Sequence, residues 1–67
     1  MSPERVGMRL KELREEEEGL TQEALAKRIP MSRAYLSRLE MGLHDPSLSK
    51  LQAIAKALGV KVGRLLE

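Results

Sequence analysis

The chain has 67 residues, a formal net charge of +2, no cysteine and a single histidine. This length predicts one domain over residues 1–67 and leaves no room for a second domain. Disulfides are excluded, and a zinc site is nearly excluded because His44 would be the only nitrogen ligand of its kind. We therefore expect no metal and no cofactor.

The sequence has no apolar segment of the roughly 20 residues that a membrane helix requires. The N-terminal segment MSPERVGMRL also lacks the apolar region of a signal peptide. The absence of cysteine is compatible with a reducing compartment. We therefore expect a cytoplasmic protein with no membrane partner.

The first predicted helix begins at Ser2, whose hydroxyl is a typical cap and is followed by Pro3 at the first helical position. Gly19 is predicted to end this helix as a left-handed cap, after a frayed last turn that contains a run of glutamates. Three apolar residues at helical spacing are predicted to be buried: Val6, Leu10 and Leu13.

Thr21 is predicted to cap a second helix, and Pro30 to stop it because the residue before a proline avoids the α region. Ser32 is predicted to cap a third helix that continues to about Met41 and ends at Gly42. The apolar face of the second helix is formed by Leu25, Ala26 and Ile29.

Asp45 or Ser47 is predicted to cap a fourth helix, which ends at Gly59. A last short helix is predicted over Val60 to Glu67. The apolar stripe of the fourth helix comprises Leu48, Leu51, Ile54, Ala55 and Leu58. Five short helices joined by short loops predict a compact all-α bundle.

The third helix has two chemically different faces. At about 100° per residue, one sector of roughly 140° carries Arg33, Ala34, Ser37, Arg38 and Met41. The opposite side carries Tyr35, Leu36 and Leu39. A basic and polar front with an apolar back is typical of a helix that lies in the major groove of DNA.

Several side chains on this front are candidates for base readout. Arg33 is the first choice, because arginine can donate two hydrogen bonds to guanine and this one lies at the N-terminal end of the helix. Arg38 either contacts a base or binds a phosphate. Ala34 either packs against a thymine methyl or permits close approach, and Ser37 either bonds to DNA or is merely tolerated there. Met41 is better explained as rim packing.

Phosphate contacts are expected from residues flanking the third helix: Thr21, Gln22, Lys27, Arg28, Ser47, Ser49 and Lys50. For Thr21 and Ser47 the alternative is simple helix capping, and for Lys27 and Arg28 it is an exposed surface charge. His44 is expected to be exposed and without function, the alternative being a phosphate contact at acidic pH. Tyr35 is the only aromatic residue, so a stacking platform for single-stranded nucleic acid is not expected.

The segments LTQEALAKRI, SRAYLSRLEMG and DPSLSKLQAIAKALGV, in this order, resemble the lambda-repressor-like, or XRE-type, helix-turn-helix regulators. The resemblance implies a five-helix fold in which the second and third helices form the motif, at about residues 21–41. It also implies sequence-specific binding to double-stranded operator DNA, usually as a dimer. Gln22 would then contact a phosphate and brace the third helix, whose Arg33, Ala34 and Arg38 would face the bases with Ser37 among them.

Pro30 departs from the family pattern, which usually has glycine at this place in the turn. Because proline fixes φ near −65°, we expect the usual left-handed turn conformation to be unavailable here. The final helix also lacks the acidic start that is usual in the family, and this weakens a dimer interface built there.

Together these features predict a transcriptional regulator, specifically a small repressor that binds a palindromic operator as a homodimer. Neither an enzyme nor a small-molecule substrate is expected. The alternative is a helical protein-interaction or antitoxin-like module with the same fold, which should carry an apolar patch on the front of the third helix. Three C-terminal residues either complete the core or form the dimer contact: Val62, Leu65 and Leu66.

Overall fold

The computed structural model describes residues 2–67, which fold into five α-helices without a β-strand. The helices are α1 (Pro3–Glu16), α2 (Gln22–Arg28), α3 (Arg33–Glu40), α4 (Leu48–Leu58) and α5 (Gly63–Leu66). The all-α prediction is confirmed. Over the same residues 2–67, none of the helices combines the length and apolarity needed to cross a bilayer.

Side-chain hydroxyls define the starts of α1 to α4. In each case a serine or threonine oxygen accepts a hydrogen bond from the backbone N–H three residues later, at 3.1–3.2 Å. These caps are Ser2, Thr21, Ser32 and Ser47. Of the two candidates for α4, Ser47 is therefore the cap. The last helix begins after Val62 without a side-chain cap, and it is shorter than the predicted segment of residues 60–67.

Left-handed residues end α3 and α4. Gly42 has φ 76° and Gly59 has φ 71°, as a Schellman motif requires of the residue after the helix. The N–H of Leu43 donates to the carbonyl of Arg38 at 3.0 Å, which closes the end of α3. This motif turns the chain back, so that the loop after it runs beside α3.

The end of α2 has the same long-range closing hydrogen bond, although a proline occupies the place of the glycine. The N–H of Met31 donates to the carbonyl of Ala26 at 3.0 Å, the long-range bond of a Schellman motif, and Pro30 has φ 20°. The expectation that Pro30 prevents a left-handed turn is therefore wrong. Ile29 before it is also in the α region, contrary to prediction, because the closing hydrogen bond fixes the conformation of this turn.

The prediction that Gly19 caps α1 is wrong as well. The helix ends at Glu16, and Glu17 is already extended, with φ −89° and ψ 112°. Gly19 instead has φ 79° inside a turn closed by a 3.1 Å hydrogen bond from the N–H of Leu20 to the carbonyl of Glu17. Carboxylates are unfavourable at the negative end of a helix dipole, which favours this earlier end.

Aliphatic side chains from every helix form one core. The buried set is Val6, Leu10, Leu13, Leu20, Leu25, Ala26, Ile29, Leu36, Leu39, Leu51, Ile54, Ala55 and Leu65. Leu48 was expected in the α4 stripe but is 62% exposed, because it lies at the edge of the stripe in the first helical residue. Leu65 is only 1% exposed, so it completes the core and is unavailable as a dimer contact.

The position of α3 is set by its close approach to α1. Gly7 is buried in α1, and a β-carbon there would collide with the carbonyl oxygen of Leu39 and lie 2.8 Å from that of Glu40. The helices pack backbone against backbone at this point. As a result α3 is held by α1 on one side and α2 on another, with its remaining face open.

Candidate nucleic-acid interface

The open face of α3 is the basic front predicted from the sequence. Four of its side chains are exposed: Arg33, Ala34, Arg38 and Met41. Ser37 lies among them and is half-buried. On the opposite side Leu36 and Leu39 are fully buried, and Tyr35 packs at the edge of the core.

The two arginines on this face differ from others in the molecule in their electrostatic surroundings. Within residues 2–67, neither Arg33 nor Arg38 forms an ion pair with a carboxylate. By contrast, each of four other arginines pairs with glutamate: Arg9, Arg14, Arg28 and Arg64. The positive charge on the front of α3 is therefore not cancelled by neighbouring acids.

The glutamate run is directed to other parts of the surface. Glu17 pairs with Arg28 at 2.7 Å, and Glu16 lies 3.9 Å from Arg64. Neither contact involves α3. The run therefore does not offset the positive charge on the front of α3 by direct pairing.

Gln22 connects the core to the exposed front. Its Nε2 donates to Oε1 of Glu40 at 2.9 Å, and its Oε1 accepts a 3.4 Å hydrogen bond from Nη1 of Arg33. The predicted bracing of the third helix by Gln22 is therefore present in the structure. The second N–H of the amide remains available for a phosphate oxygen.

Glu40 and Arg14 form a buried ion pair behind the front of α3, and the sequence analysis missed it. Glu40 is 7% exposed, and its carboxylate receives Nε and Nη2 of Arg14 at 2.6 and 3.1 Å. Hydrogen bonding to Glu40 raises the pKa of the Arg14 guanidinium, against the opposing effect of burial. The spacing could have indicated only that each residue lies on a buried helix face, since Glu40 lies four residues after Leu36 and Arg14 four residues after Leu10. It does not indicate that the two residues pair.

A second cluster lies at the C-terminal end of α3. Nε of Arg38 donates to Nε2 of His44 at 3.0 Å. The imidazole packs against the Tyr35 ring with centroids 5.2 Å apart, and Nζ of Lys50 lies 5.6 Å from the centre of that ring. The expectation that His44 is solvent-exposed is wrong: it is half-buried, because the chain reversal at Gly42 returns it to α3.

The residues predicted to contact phosphate differ from one another in their hydrogen bonds and ion pairs. Thr21 and Ser47 cap their helices, and Ser47 shares a 3.1 Å hydrogen bond with Ser49 at the start of α4. Lys27 is exposed and lies 3.7 Å from Glu23. Arg28 is bound by Glu17 and approaches the carbonyl of Ala57 at 3.4 Å, so the structure does not bring it together with the α3 front.

A profile of the helix-turn-helix family matches residues 10–65, which include every helix from the middle of α1 onward. The chain belongs to the helix-turn-helix family. In this helix-turn-helix protein α2 and α3 form the motif, and the family is one of DNA-binding transcription regulators rather than enzymes.

Two curated relatives and one solved structure illustrate the similarity. The immunity repressor protein of Bacillus phage phi105 is 44% identical over 61 residues, which are 91% of this chain and 42% of the phage protein. Control protein C.MunI from Mycoplasma is 39% identical over 61 residues, covering 91% of this chain and 82% of the relative. The crystal structure of the restriction-modification controller protein C.AhdI from Aeromonas hydrophila superimposes with a TM-score of 0.88 at 35% identity, over 94% of each chain.

This helix-turn-helix chain thus spans less than half the length of the phage repressor but most of the length of the control protein. The similarity to C.AhdI covers the five-helix fold described above and is not limited to the motif.

Proposed function

We propose that this chain is a small repressor that binds a palindromic operator as a homodimer, with α3 in the major groove. The observation that carries the proposal is the pair of exposed arginines on α3, Arg33 and Arg38, that no carboxylate of residues 2–67 neutralises. Arginines in such surroundings attract DNA phosphates and remain available for base edges.

Arg33 is the proposed principal base-reading residue. It lies in the first turn of α3, the part of a recognition helix that reaches base edges most directly. Gln22 holds one of its amino groups, which limits the rotamers of the side chain before DNA arrives. A bidentate contact with O6 and N7 of guanine would give about 1–3 kcal/mol of discrimination against another base.

The other residues of the front are proposed to refine this contact. Ala34 has no bulk to keep α3 out of the groove and presents a methyl group suited to a thymine methyl. Ser37 is half-buried, which suits a short-range hydrogen bond close to the helix axis. Arg38 would contact a second base pair, more than one helical turn along α3.

Phosphate contacts are proposed on both sides of α3. Gln22 and the start of α2 lie beside Arg33, whereas Ser49 and Lys50 lie at the start of α4 beside the Tyr35–His44 cluster. Contacts from two helix starts would position α3 in the groove without contributing sequence preference. Lys27 remains a peripheral candidate because its partner Glu23 is exposed and the pair is easily broken.

Of the three candidate residues, we propose Leu66 as the dimer contact. This residue is 45% exposed, whereas Leu65 beside it is buried and Val62 packs against the core. A homodimer on a palindromic operator places its two recognition helices on half-sites about one helical turn apart. Sedimentation of Leu66→Lys should show a lower dimer fraction than the wild type, with Leu48→Lys as an exposed-leucine control; an unchanged fraction excludes this contact.

Selection of binding sites from a random duplex pool at near-physiological salt tests the proposed function. Enrichment of a palindromic motif supports a dimeric repressor and gives the half-site spacing. Enrichment of a single asymmetric half-site contradicts the dimer but retains DNA recognition by α3. Absence of enrichment, with binding that disappears as salt is raised, contradicts the proposal and favours a protein-interaction module.

A further inference from the structure

His44 has contacts that the proposed repressor function does not explain. It lies in the loop between α3 and α4, is half-buried, and is the only histidine in the chain. Its ring packs on Tyr35, while its Nε2 accepts the hydrogen bond from Nε of Arg38 at 3.0 Å. The recognition helix thus contacts the imidazole through both Tyr35 and Arg38, which indicates a role for this loop residue.

The Schellman motif at the end of α3 is what delivers the imidazole to this place. Gly42 has φ 76°, and the N–H of Leu43 bonds to the carbonyl of Arg38 itself. Arg38 is therefore bonded to the loop both through its backbone carbonyl and through its side chain. Any displacement of the loop will move the guanidinium of Arg38.

The hydrogen bond to His44 uses only Nε of Arg38 and leaves the terminal amino groups free to contact DNA. Among residues 2–67, only the Nε–H of this guanidinium has a hydrogen-bond partner, and the two terminal amino groups point to none. Those two groups are the ones that form an end-on bidentate contact with guanine. Holding Nε reduces the rotamer entropy that a long side chain loses on binding.

We propose that His44 is a positioning residue that orients Arg38 for a specific base contact, and that only the neutral imidazole can do so. The inference rests on the proposed DNA-binding function of α3. When Nε2 accepts a hydrogen bond the proton of the neutral ring is on Nδ1, and a protonated ring has no acceptor left. Protonation would turn an attractive contact with Arg38 into repulsion between two cations.

Several charged and titratable groups lie around the imidazole. Arg38 and Tyr35 face it from α3, Lys50 lies on the Tyr35 ring from α4, and Asp45 is its neighbour in the loop. Because the chain has one histidine, a change in binding between about pH 8 and pH 5.5 can be assigned by replacing it.

The test measures affinities for the selected duplex and for each of its single base-pair variants. Arg38→Ala first identifies the base pair that Arg38 contacts. His44→Ala should lower the preference at that same base pair by about three- to tenfold and leave the Arg33 base pair unchanged. His44→Gln, whose amide oxygen can accept the Nε–H bond, should restore most of the preference. Leu43→Ala is the matched loop control, since Leu43 is 64% exposed.

The pH dependence separates positioning from a structural role. For the wild type, lowering the pH from about 8 to about 5.5 should reduce the preference at the Arg38 base pair, whereas His44→Gln should show no such change. Thermal unfolding of each variant confirms that the compared proteins are folded. Equal weakening of all duplexes by His44→Ala, or an unchanged preference at the Arg38 base pair, overturns the inference. So does an Arg38→Ala variant that relaxes no base pair.

Failure of the proposed DNA-binding function would give a different result from failure of the inference about His44. In that case the wild type itself would select no duplex, and no base-pair preference would exist for any variant to change. A selective wild type whose preference is insensitive to His44 overturns the inference alone.

Discussion

Glu40 of α3 accepts two hydrogen bonds from Arg14 of α1, at 2.6 Å from Nε and 3.1 Å from Nη2. The remaining guanidinium nitrogen of Arg14, Nη1, donates to the carbonyl of Leu20 at 2.9 Å. Glu40 also accepts a hydrogen bond from Gln22, which in turn accepts one from Arg33. The ion pair is therefore linked through Gln22 to Arg33. A buried charge network thus supports the geometry of the recognition face.

Removal of one member of this pair should destabilise the fold strongly. The two side chains are 11% and 3% exposed, so Glu40→Ala leaves the Arg14 charge buried without its partner. We expect the free energy of unfolding to fall by about 3–5 kcal/mol, measured by chemical denaturation. Glu12→Ala, which breaks an exposed contact of 3.6 Å with Arg9, should cost less than about 1 kcal/mol. Similar losses for both variants would contradict a structural role of the buried pair.

Gly7→Ala should be destabilising even though alanine is the better helix former. In an exposed helix the change would stabilise by roughly 1 kcal/mol, but here the new methyl group meets the backbone carbonyls of Leu39 and Glu40. Overpacking of this kind costs about 1–3 kcal/mol. Gly63→Ala is the matched control, because a β-carbon on this helical glycine has no neighbour within 4 Å. Calorimetry should show opposite shifts of Tm, and a higher Tm for Gly7→Ala would refute the close packing.

At position 30 we expect glycine to be more stable than alanine. Both restore the N–H that proline lacks, so their difference reports the conformation of the turn alone. At an ordinary turn position alanine would be favoured by about 0.4–1 kcal/mol through the entropy of the unfolded chain. A positive φ, as at Pro30, reverses this order because glycine adopts it without steric cost. A higher unfolding free energy for Pro30→Ala than for Pro30→Gly would show that the turn is not left-handed.

Stability should depend on the ionisation of Glu17. Its hydrogen bond to Arg28 lowers the pKa of the Glu17 carboxyl below its ordinary value. The stabilisation is therefore complete above the unfolded-state pKa of about 4.3, and is lost as the pH falls through the lower folded-state pKa. Glu17→Gln should lower Tm slightly at pH 7 and have no effect at the acidic end of the titration. Glu18→Gln is the matched control, because it makes an equal change in net charge at a residue that forms no ion pair within residues 2–67.

Local patterns predicted most of the fold because they act over short distances. The hydroxyl caps at Ser2, Thr21, Ser32 and Ser47 and the glycines at Gly42 and Gly59 are signals contained within a few residues. The basic front of α3 follows from helical periodicity alone. The resemblance to known regulators added the order of the motif helices.

Contacts between distant segments were not predictable in the same way. The pairing of Glu40 with Arg14 and the return of His44 to Arg38 depend on helix packing and on a chain reversal, neither of which a local pattern specifies. Pro30 shows the converse, since its φ of 20° departs from the value near −65° that a proline ring favours. The burial of Leu65 likewise depends on the packing of α5 against α1 and α4.

The most direct test of the central claim, that α3 reads DNA through Arg33, is a comparison of Arg33→Ala with Lys27→Ala on the selected operator and its single base-pair variants. We predict that Arg33→Ala removes about 1–3 kcal/mol of preference at one base pair and leaves the other positions intact. Lys27→Ala should weaken all duplexes about equally. A folded Arg33→Ala variant that retains the full preference at every base pair would contradict the account.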